Sequence, residues 1–182
     1  MSEANWQWLF DSNRQCLQLA MGDLVLDICY PRRLLQLNLR ACSSFDIEDA
    51  DIFNRVRDYL ELHASLNVSE QFQTAIHATA ALRFMKPSLP QSWHFRFNEL
   101  IEGWPDNHLA CTLDSGLDSC EFLILEQDQR TSLCLLLDSQ MRLSPTKVMR
   151  QFECVRVLND RLHESKSHPL PQQWHGNWSS LA

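Results

Sequence analysis

Apolar and polar residues alternate along "WQWLFD" (6–11), "CLQLAM" (16–21) and "LVLDICY" (24–30). A period of two belongs to a strand with one face in a core, and Gly22-Asp23 suits a hairpin turn, so a three-stranded meander is predicted. The period then lengthens. In "FDIEDADIFNRVRDYLELHASL", Ile52, Phe53, Val56, Tyr59, Leu60 and His63 recur at helical spacing behind an acidic first turn, which complements the helix dipole. Asn67 and Glu70 have the spacing of a capping box and open a second helix, with a buried stripe of Phe72, Ala75, Ile76, Thr79 and Leu82. Pro87 ends it, because the residue before a proline is driven out of the α region.

Beyond residue 92 the pattern shortens to strand-like pieces, "WHFRF", "LACTLD", "EFLILEQ" and "TSLCLLLD", separated by the turn-like "EGWPDN", "DSGLDS" and "QDQR". This predicts a small, mostly antiparallel second region. A final helix is expected through "FECVRVLNDRLHE", starting between Pro145 and Gln151, although "TKVMRQF" also alternates as a strand does. The fold class is thus α+β: an N-terminal meander with two helices over 1–92, an antiparallel region with a final helix over 93–165, and a polar tail over 166–182. Removing that tail is expected to leave the fold intact. Its Trp174 and Trp178, four residues apart, either pack back on the body or form a short partner-binding motif.

Composition narrows the class. With 45% hydrophobic residues in 182, the chain can bury a core without staples. Seven cysteines, an odd number with no C-x-x-C pair and mostly inside apolar runs, read as reduced buried thiols. The opening "MSEANWQWLF" carries an acid where an export signal needs a basic stretch, and no apolar run approaches the roughly 18 residues of a membrane span. A cytoplasmic protein with no membrane span is therefore expected. A net charge of -7 repels phosphate backbones, so no nucleic-acid partner is expected either. The acids are unevenly spread: from Gln71 to Asn98 there is none, while Arg83, Lys86 and Arg96 are present.

Catalytic signatures are lacking. Four glycines cannot form a dinucleotide fingerprint or a phosphate loop, and no serine stands in a nucleophile elbow. His63, His77, His94 and His108 have no nucleophile at a diagnostic spacing. The pair His108 and Cys111 and the group His163, His168 and His175 do not make two paired ligand sets, so neither a metal nor a cofactor is expected. Asp46, Glu48, Asp49 and Asp51 read as a solvated, dipole-complementing first turn rather than a cation site.

"NWQWLFD", "LRFMKPSLPQSWHF", "SLCLLLD" and "VLNDRL", in this order and spacing, resemble the cell division protein ZapC family from about Asn5 to Leu162. The resemblance implies an α/β N-terminal region joined to a β-barrel-like C-terminal one. It also implies a non-enzymatic cytoplasmic factor of the midcell division ring. Such a factor binds FtsZ, a tubulin-like GTPase with acidic filaments, promotes lateral bundling and lowers GTP turnover, as a monomer or weak dimer. The family pattern carries a lysine after the second proline, where this chain has Gln91, and the tail does not follow it.

On that resemblance, the acid-free window becomes a docking surface for an acidic filament, with Arg83, Lys86, Pro87, Gln91 and Arg96 as contacts and the prolines pre-ordering the loop. Trp93, His94 and Phe95 are expected at the seam between the two regions, with Trp93 and Phe95 in the core. The alternative is a small-molecule or peptide-binding module with a pocket near Trp93, His94 and Trp104. An enzyme using His94 as general base ranks third.

Overall fold

The computed structural model describes residues 5–28, 30, 32–36, 42–63, 66–98 and 104–170. The chain divides into two compact units, 1–62 with 66–88, and 63–65 with 89–182. Each is described by itself below.

The first unit lays two helices on a four-stranded antiparallel sheet of order β3-β2-β1-β4, with β1 at Trp6–Asp11, β2 at Cys16–Met21, β3 at Leu24–Ile28 and β4 at Cys42–Ser44. The meander is as the alternation predicts; the short β4 carries too few residues to show a period. Register pairs Trp6 with Met21 and Trp8 with Leu19, and Leu17 with Ile28, so these side chains share one face, and it is buried. Gly22 has φ +69 between β2 and β3, a left-handed conformation that most side chains resist, although there is open space where its Cβ would lie.

The helices α1 (Ile47–His63) and α2 (Val68–Phe84) meet that face through aromatic rings. Trp6 sits edge-on to Phe45, Phe53 and Phe72 at 5.1, 5.7 and 5.9 Å, and Trp8 to Phe84 at 5.2 Å. The capping box of α2 is present: the Asn67 side chain accepts from Ser69 and Glu70 N–H, and Glu70 reaches back to Asn67 N–H. Met85, in extended conformation before Pro87, closes the helix. Burial on α2 is broader than a stripe. Every residue from Thr74 to Ala81 is buried, while Phe72 and Leu82 are half-buried. Four alanines let neighbours approach on several sides, and Tyr30 donates its hydroxyl to the His77 carbonyl at 3.0 Å.

The second unit holds an open antiparallel sheet of order β10-β7-β6-β5 and a separate hairpin, β8-β9. "LACTLD", "EFLILEQ" and "TSLCLLLD" become β5 (Ala110–Asp114), β6 (Ser119–Gln127) and β7 (Thr131–Leu136). The hairpin consists of β8 (Gln140–Ser144) and β9 (Lys147–Arg150).

Two expectations are corrected here. The final helix is a strand, β10 (Cys154–Leu158), followed by a 3-10 turn at Asn159–Arg161, because Val155 and Val157 point into the core with period two and β7 supplies the pairing partner. "WHFRF" is not a strand: Ser92–His94 form a 3-10 turn, closed by Phe95 N–H on the Ser92 carbonyl.

The described strands form no closed barrel. Irregular chain covers both sheet edges instead. On β10, Gln91 N–H donates to the Arg156 carbonyl at 2.8 Å, and Leu158 N–H donates to Ser92 Oγ at 2.7 Å. On β5, Thr112 and His163 exchange two backbone hydrogen bonds of 2.8 and 2.9 Å. Such covers keep edge strands from pairing with other chains. The core between includes Phe95, Trp104, Phe122, Leu136, Met141, Val157 and Leu170.

Candidate functional site

In the first unit a cationic corner forms around a bridge between Leu35 and Met85. Gln36 N–H donates to the Phe84 carbonyl and Lys86 N–H to the Leu34 carbonyl, both at 2.8 Å, which sets residues 32–36 beside the end of α2. Lys86 Nζ then reaches the Arg33 carbonyl at 2.9 Å. Arg32 lies 5.2 Å over the Phe10 ring and donates to the Gln36 carbonyl. Leu34 is exposed between them. Among the described residues neither Arg33 nor Lys86 forms an ion pair. Sequence reading missed Arg32 and Arg33, some fifty residues upstream of Lys86; the adjacent basic pair in "PRRLL" was the available signal.

Arg83 faces elsewhere. Its guanidinium pairs with Asp46 at 3.0 Å and with Asp49, and only 23% of its side chain is exposed. The acidic first turn of α1 is thus not wholly solvated: Asp49 is 1% exposed and accepts from Arg83, from the Trp8 indole and from Asp46 N–H. A window free of acids along the chain therefore meets acids in space.

In the second unit, Trp93 is 74% exposed, whereas Phe95 is 5% exposed in that unit's own core. The burial expected of Trp93 is not found, because the 3-10 turn rotates it away from the face that Phe95 fills. His94 lies between, its ring 5.6 Å from Trp93. Lys147 on β9 donates to Gln91 Oε1 at 2.9 Å and approaches His94 Nε2 at 3.2 Å. Burial, and then the Lys147 charge, hold the His94 pKa below its ordinary value. Arg96 is tied down: Nη1 lies 3.6 Å from Asp114 Oδ2, and a Cβ on Gly116 would come within 3.2 Å of its Nε. Phe97 is exposed under the Arg161 guanidinium, 5.1 Å from its centroid.

Among the described residues no three of His, Cys, Asp or Glu lie close enough together to hold a metal ion. Cys111 is buried against Cys134, and burial raises its thiol pKa well above the usual range, which keeps it unreactive. No helix among the described residues is long and apolar enough to cross a membrane. The His63 side chain and Trp174, His175 and Trp178 lie outside the described residues.

Comparison with known proteins adds the decisive observation. Residues 1–86 match the family model described as "Cell-division protein ZapC, N-terminal", and residues 87–168 match "Cell-division protein ZapC, C-terminal". The chain belongs to the ZapC family. A relative from Idiomarina loihiensis, "Cell division protein ZapC", is 38% identical over 164 residues, covering 88% of each chain. Relatives of the same name from Ferrimonas balearica and Photobacterium profundum are 31% and 30% identical, over 91% and 87% of this chain and 92% and 88% of theirs. The two ZapC models meet between Lys86 and Pro87, close to where the compact units divide after Ser88.

Proposed function

We propose that this chain is a non-enzymatic cell-division factor of the cytoplasm that binds FtsZ filaments, bundles them laterally, stabilises the midcell ring and so lowers FtsZ GTP turnover. Membership of the ZapC family supports this reading. The observation that carries the docking is the un-neutralised pair Arg33 and Lys86 on a chain of net charge -7. An acidic chain approaches an acidic filament against long-range repulsion, which salt screens beyond roughly 8 Å, and gains only where local charge is reversed.

In this reading Lys86 and Pro87 make contact from the first unit, together with Arg33, while Gln91 and Arg96 do so from the second. Arg83 supports the first patch from behind through Asp46 and Asp49. A bundling protein must touch two filaments, and a patch on each unit gives one monomer two contacts. Co-sedimentation with GTP-assembled FtsZ tests this: the chain pellets with polymer, the pelleted fraction rises and phosphate release per FtsZ falls. A chain that stays in the supernatant at every ratio overturns it.

A further inference from the structure

The second unit brings an ammonium, an imidazole and an indole together, with no carboxylate paired to the ammonium among the described residues. Lys147 spends one N–H on Gln91 Oε1 and directs another at His94 Nε2. An ammonium has three donors, so one remains for solvent, and an Nε2 that accepts leaves the ring proton on Nδ1. Three cations on other elements of this unit already have acids, while Arg150, on β9 with Lys147, forms no ion pair among the described residues. Arg156, on the β10 strand that packs on the 3-10 turn, is held by Glu126 and Asp128, Arg96 by Asp114, and Arg142 on β8 by Asp118. Lys147 forms no ion pair among the described residues. The stretch from Ser139 to Phe152 contains Arg142, Lys147 and Arg150 and not one Asp or Glu.

We propose that Lys147 and His94 together take up one carboxylate of an acidic segment of the partner, that Trp93 packs on an apolar side chain of that segment, and that docking carries a proton onto His94. This rests on the reading that the chain binds an acidic filament. An incoming carboxylate accepts from Lys147 and draws the ammonium off Nε2. That nitrogen then takes a proton from solvent and donates to the second carboxylate oxygen. Its neighbour has changed from a cation to an anion, and an opposite charge at about 4–6 Å raises a histidine pKa by about 1–3 units. Binding and protonation are therefore reciprocal.

The test uses the full-length chain and, as probe, a capped peptide of alternating aspartate and leucine beside its asparagine counterpart, followed through the His94 ring resonances by NMR. The aspartate peptide should bind about three- to tenfold more tightly at about pH 6 than at about pH 7.5, and should raise the His94 midpoint. The asparagine peptide should show neither effect. His94→Gln should bind the aspartate peptide more weakly than the parent at about pH 6 and lose the pH dependence, because an amide can donate but takes up no proton. Lys147→Met should weaken binding at every pH and raise the His94 midpoint of the free chain. Equal affinity for the two peptides, or a His94 midpoint unmoved at saturation, overturns the proposal. Co-sedimentation with FtsZ is scored separately: a chain that pellets with filaments but fails the peptide test loses only this site, and one that passes the peptide test but never pellets loses only the FtsZ reading.

Discussion

The Trp8 indole Nε1–H donates to Asp49 Oδ2 at 2.9 Å, across 41 residues of sequence. The same oxygen accepts Asp46 N–H at 3.0 Å and the Arg83 guanidinium, so one buried carboxylate joins β1, the start of α1 and the end of α2. Removing Asp49 strands the buried Trp8 indole N–H, while Arg83 keeps Asp46 as its partner. Asp49→Ala should cost about 1–3 kcal/mol of unfolding free energy. Urea denaturation followed by circular dichroism measures it. Arg83→Met should also destabilise, so any loss of FtsZ binding by that variant follows lost fold rather than a lost contact.

Lys86→Glu and Arg33→Glu act on the surface. Each should leave stability within about 0.5–1 kcal/mol of the parent. Each should weaken FtsZ binding by about 1–3 kcal/mol, more at low salt than at high. Co-sedimentation across a salt series reads both effects, and a stably folded Lys86→Glu chain that pellets normally would remove this corner from the interface.

Trp93 and Phe95 are two residues apart and should behave in opposite ways. Phe95→Ala empties part of the second unit's core and should cost about 3–5 kcal/mol. Trp93→Ala, starting from a side chain 74% exposed, should move the melting temperature little while reducing FtsZ binding. Thermal melts of the two variants decide the matter.

His77 is buried in α2, and burial lowers its pKa from 6.5 to about 4. The unfolded chain therefore binds this proton first as acid is added. The stability tied to keeping the ring neutral is present above pH 6.5 and is lost as pH falls toward about 4, a total of about 3 kcal/mol. Unfolding free energy measured across that window should fall with acid, and His77→Gln should flatten the slope.

The contacts made by Ser165, Lys166 and Leu170 set a boundary for truncation. Ser165 Oγ donates to Glu121, Lys166 N–H donates to the same carboxylate at 3.1 Å, and Leu170 is 8% exposed in the core. Removal of 171–182 should leave stability near that of the parent. Removal of 166–182, expected from the sequence to leave the fold intact, should cost about 2–3 kcal/mol, on the scale of one buried leucine and its hydrogen bond. Denaturant midpoints of the two truncations measure the difference.

Features written in local chemistry were legible in the chain itself: the alternation of β1 to β3, the Gly22 turn, the Asn67–Glu70 capping box and the stop before Pro87 each depend on residues within a few positions of one another. Features that need a distant partner were not. Five residues around Val155 and Val157 fit a strand or a helix by pattern alone, and pairing with β7 settled the question. Asp49 reads as solvent-facing until Trp8 and Arg83 close over it, and Arg33 joins Lys86 only through a bridge spanning fifty residues. By itself, the sequence determined where backbone turns, caps and alternates, because those energies are short-ranged. Only the tertiary structure decided which charges are cancelled and which aromatics stay exposed, because burial and Coulomb energy depend on distance in space.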